Sequence, residues 1–290
     1  MTESFTPLLT TTDWNAEWMQ LQKARRHRDS AVYWNERAKT FTSKDYPNPY
    51  VNSFLERAGV APEESVFDMG CGTGALALPL GEAGHTVTAA DFSEGMLSIL
   101  RGELEARGIK SVHCEQMSWE DDWANYGLGK GAVDVAVASR SVITHDLEDS
   151  LKKLSAVARE RACVTVCTGV SPRVDARVAR AMGLELERHN DALFVFGIAS
   201  DLGYEPTVSY IHSPRTKSYI SPDEAYYSLL RTRDYLADTA DQISVEESAC
   251  RLRSFLADHL VEIDEDGAKR WTLDQPRVVP WAFISWDVGI

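Results

Sequence analysis

The chain contains no CxxC pair, no HExxH element and no apolar stretch approaching the ~18 residues that a membrane-crossing helix needs. These absences argue against a thiolate-held metal, a zinc hydrolase of the HExxH type and a transmembrane anchor. Met1 to Thr12 lacks the basic flank and apolar core of a secretory leader, so a soluble, cytoplasmic protein is expected. The five cysteines (Cys71, Cys114, Cys163, Cys167 and Cys250) are odd in number and mostly sit in apolar runs, which fits a reducing compartment better than a disulfide framework. Positive charge is also scarce. With 30 Lys and Arg against 44 Asp and Glu the net charge is −14, and the one basic cluster, Lys23 to Arg28, reads as a solvated helix face. Such a chain has little electrostatic attraction for a phosphate backbone, so a small-molecule partner is expected rather than nucleic acid or membrane.

What is present is a globular composition, 44 % hydrophobic and 26 % charged over 290 residues, enough to build a core without staples. Asp13 caps a helix carrying Trp14, Trp18 and Leu21, and a second helical segment carries Tyr33, Trp34, Arg37 and Phe41. Beyond Pro47 and Pro49, a helix over 51–58 leads into an apolar strand, Ser65 to Met69. Helix and strand patterns then alternate: helix 74–83, strand 85–91, helix 94–107, strands 111–116 and 132–139, helix 147–159, strand 161–168. This alternation predicts an α/β fold, a Rossmann-like doubly wound and mostly parallel sheet with helices on both faces. Leu97, Leu100 and Leu104 line one helix face and Leu147, Leu151 and Leu154 another, as core residues do.

After Gly169 helical segments run to about Gly203, Thr207 to Ile211 reads as a strand, and capping boxes at Ser221/Glu224 and Ser244/Glu247 start two helices. Val278 to Asp287 alternates as a strand returning to the sheet. The expected domains are an N-terminal helical extension or lid (1–50), the Rossmann-like domain (51–212), a helical insertion (213–277) and the final strand (278–290). With Tyr219, Tyr226 and Tyr227, and with Tyr204 and Tyr210 nearby, the insertion is read either as a cap over an acceptor pocket or as a homodimer interface.

The chemistry concentrates in Asp68-Met69-Gly70-Cys71-Gly72-Thr73-Gly74. Three glycines at alternate positions let a strand turn sharply into a helix and bring backbone close to a ligand. Gly70, Gly72 and Ala75 also satisfy the dinucleotide fingerprint, so the glycines alone leave a nicotinamide enzyme open. Asp68 separates the two. A carboxylate at the strand end opposes a pyrophosphate but suits a ligand bearing an ammonium group. Asp91, about 20 residues beyond the first glycine, ends the next strand where an acid accepts ribose hydroxyls.

These residues resemble motif I of the class I S-adenosylmethionine-dependent methyltransferases, and His85 to Asp91 is similar to their second strand with its ribose acid; the resemblance spans roughly 55–170. It implies S-adenosylmethionine as cofactor and S-adenosylhomocysteine as product but is silent about the acceptor, for which the charge balance favours a small molecule. It further implies that Asp68, Gly70 and Gly72 surround the methionine portion, with Cys71 and Gly74 of the same loop also among the cofactor-binding residues; by its own setting Cys71 reads as a small buried filler. Asp91 would take the ribose, with Phe92, Ser118 and Trp119 near the adenine; many members carry an acid where Ser118 stands. Ser139, Arg140 and Ser141 would face the methyl group and acceptor, and Trp34 and Arg37 would belong to a closing segment, Arg37 reaching the methionine carboxylate. Methyl transfer is an in-line displacement that needs alignment more than dedicated catalysts, but an acceptor proton would call for a base, for which His145 is best placed in the sequence. A metal ion is not expected. Two other classes stay open: a nicotinamide-dependent oxidoreductase, and a noncatalytic S-adenosylmethionine-binding module.

Overall fold

A computed structural model describes residues 12–25, 30–39, 48–169, 172, 174–186, 190–236 and 243–289. Phe41, Pro47, Arg26 to Arg28 of the basic cluster, and all but the last residue of Met1 to Thr12 lie outside the described residues. Two compact units emerge. The first comprises Met1–Val166, Asp191–Ile211 and Ala282–Ile290, and the second Cys167–Asn190 and His212–Trp281.

One sheet is built of β1 (Val66–Met69), β2 (Val87–Asp91), β3 (Val112–Gln116), β4 (Val133–Ser139), β5 (Ala158–Cys167), β6 (Thr207–Arg215) and a last strand, Arg277–Asp287; all of β1 to β4, β5 up to Val166, β6 up to Ile211 and the last strand from Ala282 belong to the first unit. The sheet runs β3-β2-β1-β4-β5, then the last strand, then β6. Strands β1 to β5 pair in parallel, Val66 opposite Val87 on one side and Val135 on the other. The last strand runs against β5: Thr168 N–H donates to Pro280 O at one end, and Val288 N–H to Glu160 O at the other. The expected doubly wound, mostly parallel sheet is therefore present, and the C-terminal strand does return to it.

Several helices begin where a short polar side chain satisfies a free amide of the first turn. Asp13 caps α1 (Trp14–Ala24), Ser30 caps α2 (Ala31–Ala38), and Asn48, followed by Pro49, caps α3 (Pro49–Ala58). After the short α4 (Ala77–Glu82), Ser93 caps α5 (Glu94–Arg107), and Asp146 caps α6 (Leu147–Val157). The leucine faces of α5 and α6 are buried as their spacing predicts. Both faces of the last strand are covered, since Phe283 meets Phe54 of α3 while Trp286 donates its indole N–H to Ser155 of α6 at 2.9 Å.

The second unit has its own apolar core of Val174, Val178, Met182, Leu252 and Leu256 with Tyr226. At both expected capping boxes the serine half forms, Ser221 accepting from Glu224 N–H and Ser244 from Glu247 N–H, while the Glu224 carboxylate accepts from Ile220 N–H, one residue before the cap. The segment read as a purely helical insertion differs in one respect. It contains an antiparallel hairpin, β7 (Leu260–Glu265) with β8 (Ala268–Leu273), closed by Asp266 and Gly267 at φ 55° and 77°. An Asp-Gly pair takes this double left-handed turn at little cost, and Glu262 pairs with Lys269 across the strands.

Gly74 has φ 89°, and a Cβ there would lie 2.3 Å from Leu100 Cδ1. Gly74→Ala should therefore cost about 2 kcal/mol or more, measured by urea unfolding. Adding Leu100→Ala removes the overlap but not the backbone strain, so the double variant should not regain the parent's stability.

Candidate active site

The carboxyl ends of β1 and β2 bring two acids together. Asp68 is buried, 1 % exposed, and its Oδ2 has no hydrogen-bond partner among the described residues. Burial, and then the charge of Asp91, pushes its carboxyl up to about 7. Asp91 is also buried, and burial raises it too, opposed by two backbone amides. Gly72 N–H donates to one of its oxygens at 2.9 Å and Ser93 N–H to the other at 2.8 Å. A carboxylate has about four acceptor positions, so two amide bonds orient Asp91 and leave each oxygen able to accept once more.

The loop between them owes its path to the glycines. Gly70 and Cys71 both donate their N–H to Ala90 O, and the three glycines take φ of 75°, 56° and 89°. Space around them differs. A Cβ on Gly70 would fall 2.3 Å from Ser141 Cβ, whereas one on Gly72 would meet nothing within 4 Å. Gly70 is thus a packing requirement, and Gly72 presents open backbone beside Asp91. Cys71 fills the loop's buried side; burial, with Asp68 and Asp91, holds its thiol well above its usual range, so it is no ready nucleophile.

At the end of β4, Ser139, Arg140 and Ser141 are fixed from several sides. Ser141 Oγ donates to Met69 O at 2.6 Å, locking this turn onto the glycine loop. Arg140 takes φ 62°, rare for a residue with a side chain, and its N–H donates to Thr165 O and Oγ1. Its guanidinium lies over the ring of Tyr50, 4.3 Å from the centroid. The Tyr50 hydroxyl is bonded to Ser139 Oγ at 2.7 Å and Thr165 Oγ1 at 2.6 Å. Burial raises the Tyr50 phenol, Arg140 and the two hydroxyls opposing it, so it stays a neutral hydrogen-bonding group at ordinary pH.

Asp68, Gly70, Cys71, Gly72, Gly74 and Asp91 therefore share one site, with Phe92 following Asp91 at its rim. Ser139, Arg140 and Ser141 adjoin it through the Ser141 contact. Other expected residues are placed differently. Ser118 is tied up locally, its N–H on Asp121 and its carbonyl accepting from the Trp123 indole. Trp119 packs on Trp123, which packs on Phe67, so it belongs to the core layer. His145 is exposed, and no described hydrogen bond ties it to the acids.

Trp34 is half-buried and Arg37 exposed on α2, and Asn35 of that helix is bonded to the segment that follows Asp91. Its Oδ1 accepts from Ser93 Oγ at 2.7 Å and Gly95 N–H at 3.0 Å, holding α2 on the start of α5. Asn35, Tyr50 and Thr165 were not singled out in the sequence. Only Tyr50 carried a signal, standing directly after a capped helix start. No group of three or more His, Cys, Asp or Glu positioned to hold a metal occurs among the described residues. No helix among them is long and apolar enough to cross a membrane.

A family model described as a methyltransferase domain matches residues 66–161, from β1 into β5, the stretch that carries every residue of the acidic loop. The chain belongs to the class I S-adenosylmethionine-dependent methyltransferases. An uncharacterized protein of Haemophilus influenzae is 31 % identical over 191 residues, covering 65 % of this chain and 68 % of that one. A methyltransferase candidate of Geobacillus sp. strain WCH70 is 33 % identical over 81 residues, 28 % of this chain and 33 % of its own. Among solved structures, a methyltransferase candidate from Bacillus halodurans matches with TM-score 0.51 and 14 % identity, covering 83 % of this chain and 99 % of that one. At that identity the likeness concerns the methyltransferase fold.

A raised carboxyl has a stability signature. Folded Asp68 keeps a proton up to about 7, whereas an unfolded Asp loses it near ~3.9, so ligand-free stability falls as pH rises between these values. Asp68→Asn should leave stability nearly unchanged at pH 4 and raise it by roughly 2 kcal/mol at pH 8, read by urea unfolding at both pH values. A variant less stable than the parent at pH 8 would contradict this.

Proposed function

We propose that the chain transfers the methyl group of S-adenosylmethionine to a small-molecule acceptor and releases S-adenosylhomocysteine. The observation that carries this is the pair of buried acids, Asp68 with an unpartnered oxygen beside Asp91, next to the open backbone at Gly72. Two buried like charges without a compensating cation are costly, and a cationic ligand removes the cost. A pyrophosphate would add negative charge to the same place, which is the specific argument against the nicotinamide alternative.

In this reading Asp68 receives the ammonium of the methionine portion, with Gly70, Cys71, Gly72 and Gly74 shaping the wall around it. Asp91 accepts the two ribose hydroxyls with the acceptor capacity that Gly72 and Ser93 leave open, and Phe92 flanks the adenine. Trp34 and Arg37 close the site from α2, which Asn35 anchors. When bound, the cofactor supplies a methyl group on a positively charged sulfur, already activated for displacement. The chain's own task is alignment and exclusion of water. Tyr50, Ser139 and Thr165 hold Arg140 at the end of β4, where its guanidinium can orient an acceptor; His145, exposed in the following loop, is the candidate for taking an acceptor proton.

S-adenosylhomocysteine and S-adenosylmethionine should raise the melting temperature while NAD does not, with a ligand at 100 times its dissociation constant adding about 2.7 kcal/mol. Asp68→Asn and Asp91→Asn should each weaken this by about tenfold or more, the size of one lost charge-assisted hydrogen bond. Affinity for either ligand should also fall about tenfold per pH unit below about 7, because the cation must displace the Asp68 proton. Stabilisation by NAD alone would sink the proposal. Methyl-labelled cofactor incubated with the protein and a cell extract should yield a labelled small molecule by mass spectrometry. Tight cofactor binding without any labelled product would favour the noncatalytic module instead.

A further inference from the structure

Asp91 can serve a ligand only while its oxygens keep acceptor capacity, and the group placed to take that capacity is the Ser93 hydroxyl. Ser93 is fully buried, 0 % exposed, and its own N–H reaches Asp91 Oδ1 at 2.8 Å. Its hydroxyl oxygen accepts from Met96 N–H at 3.2 Å as the cap of α5, which leaves one hydroxyl proton to place. Asn35 of α2 takes it. Gly95 N–H, 3.0 Å from Asn35 Oδ1, can only donate, so the amide oxygen rather than the nitrogen faces α5. The same oxygen lies 2.7 Å from Ser93 Oγ and carries no proton, so the hydroxyl donates to it. Among the described residues no other acceptor bonds that hydroxyl.

Removing the Asn35 oxygen would leave a buried O–H without an acceptor, a cost that the hydroxyl escapes by turning. The Asp91 carboxylate is the acceptor in its own turn, since the bond from Ser93 N–H already draws Oδ1 over that residue. A hydroxyl donating there occupies the lone pair that the backbone amide leaves open. The contact depends on close packing from α5 as well. A Cβ on Gly95 would lie 3.1 Å from both Asn35 Cα and Asn35 Oδ1, so the missing side chain is what admits Asn35 to its position. Of the eight residues of α2 only Ala38 is buried, so Asn35 can be replaced without opening the core.

We infer that Asn35 is a positioning residue for Asp91: by accepting the Ser93 hydroxyl it keeps that proton off the Asp91 carboxylate, which stays free to accept the hydroxyls of a ligand. The identity of the ligand rests on the cofactor reading above, whereas the state of Asp91 does not. Asn35→Ala should weaken S-adenosylhomocysteine binding about tenfold by calorimetry, the scale of one hydrogen bond to a charged group. Adding Ser93→Ala removes the competing hydroxyl and should recover most of that affinity, although it strips the cap from α5. If Asn35 served structure alone, the double variant would bind worse than Asn35→Ala. The ligand-free protein gives a second readout. Burial holds the Asp91 carboxyl above its usual value against two amides, and a third donor lowers it. Followed by carboxyl carbon NMR, apart from Asp68 and the Cys71 thiol beside it, Asp91 should titrate lower in Asn35→Ala and return toward the parent in the double variant. Entry of water alone would lower it in both. Gly95→Ala, which displaces Asn35 while favouring the α5 helix, should reproduce the loss of affinity and the shift even if Asn35→Ala folds poorly. Equal Asp91 titration in the parent and Asn35→Ala, or no recovery in the double variant, would overturn the inference. A parent that does not bind S-adenosylhomocysteine would instead count against the cofactor reading, with the Asp91 titration still deciding the role of Asn35.

Discussion

Two carboxylates held out of water at adjacent strand ends, Asp68 on β1 and Asp91 on β2, are the constraint around which the first unit is organised. Parallel pairing sets Asp68 opposite Ala89 and brings the strand ends level, so the acids cannot move apart without breaking the sheet. The protein meets the cost unequally. Asp91 receives two backbone amides and Asp68 receives none on its buried oxygen. That asymmetry divides the labour: one acid is oriented as an acceptor, and the other is left as an unmet charge that a cation can satisfy. Packing alone would favour a neutral side chain at Asp68, so the residue makes sense as a binding device bought at some loss of stability.

The surrounding loops are built to keep that geometry. Ser141 donates to Met69 O and leaves no room for a side chain at Gly70, so the β4 turn and the glycine loop are registered against each other. Leu100 does the same from α5 at Gly74. On the β4 side, Arg140 is held in a backbone conformation that its side chain disfavours, and Thr165 and Tyr50 supply the interactions that hold it there. Strain kept at one residue by several neighbours is how a site fixes a charged group in place before a ligand arrives.

Much of this was legible because it depends on local rules. Strand–helix alternation, the leucine faces and the caps at Asp13, Ser221 and Ser244 each follow from periodicity or from the chemistry of a first helical turn, and each stands where it was read. Asp68 and Asp91 were legible for a related reason, since both lie at ends of parallel strands whose spacing the chain itself dictates. Asn35, Tyr50 and Thr165 were not, because their roles come from partners 58, 89 and 115 residues away. Ser118 and Trp119 were placed by position after β3, but Asp121 and Trp123 compete for them locally. The hairpin at Asp266-Gly267 did carry its signal, and acidic and basic runs on either side masked the alternation that would have exposed it.

The charge balance of the whole chain bears on which ligands it can draw. Acids outnumber bases by 44 to 30 over the chain, so an unliganded surface repels anions in general. Against that background a cationic ligand is drawn to the buried acidic pair of Asp68 and Asp91, whereas a pyrophosphate brought to the same place meets like charge. A uniformly basic protein would bind both kinds of anion, substrates and nucleic acids alike. The overall negative charge is thus part of the selectivity, since it disfavours both a phosphate-rich ligand at the acidic pair and a nucleic-acid backbone on the surface.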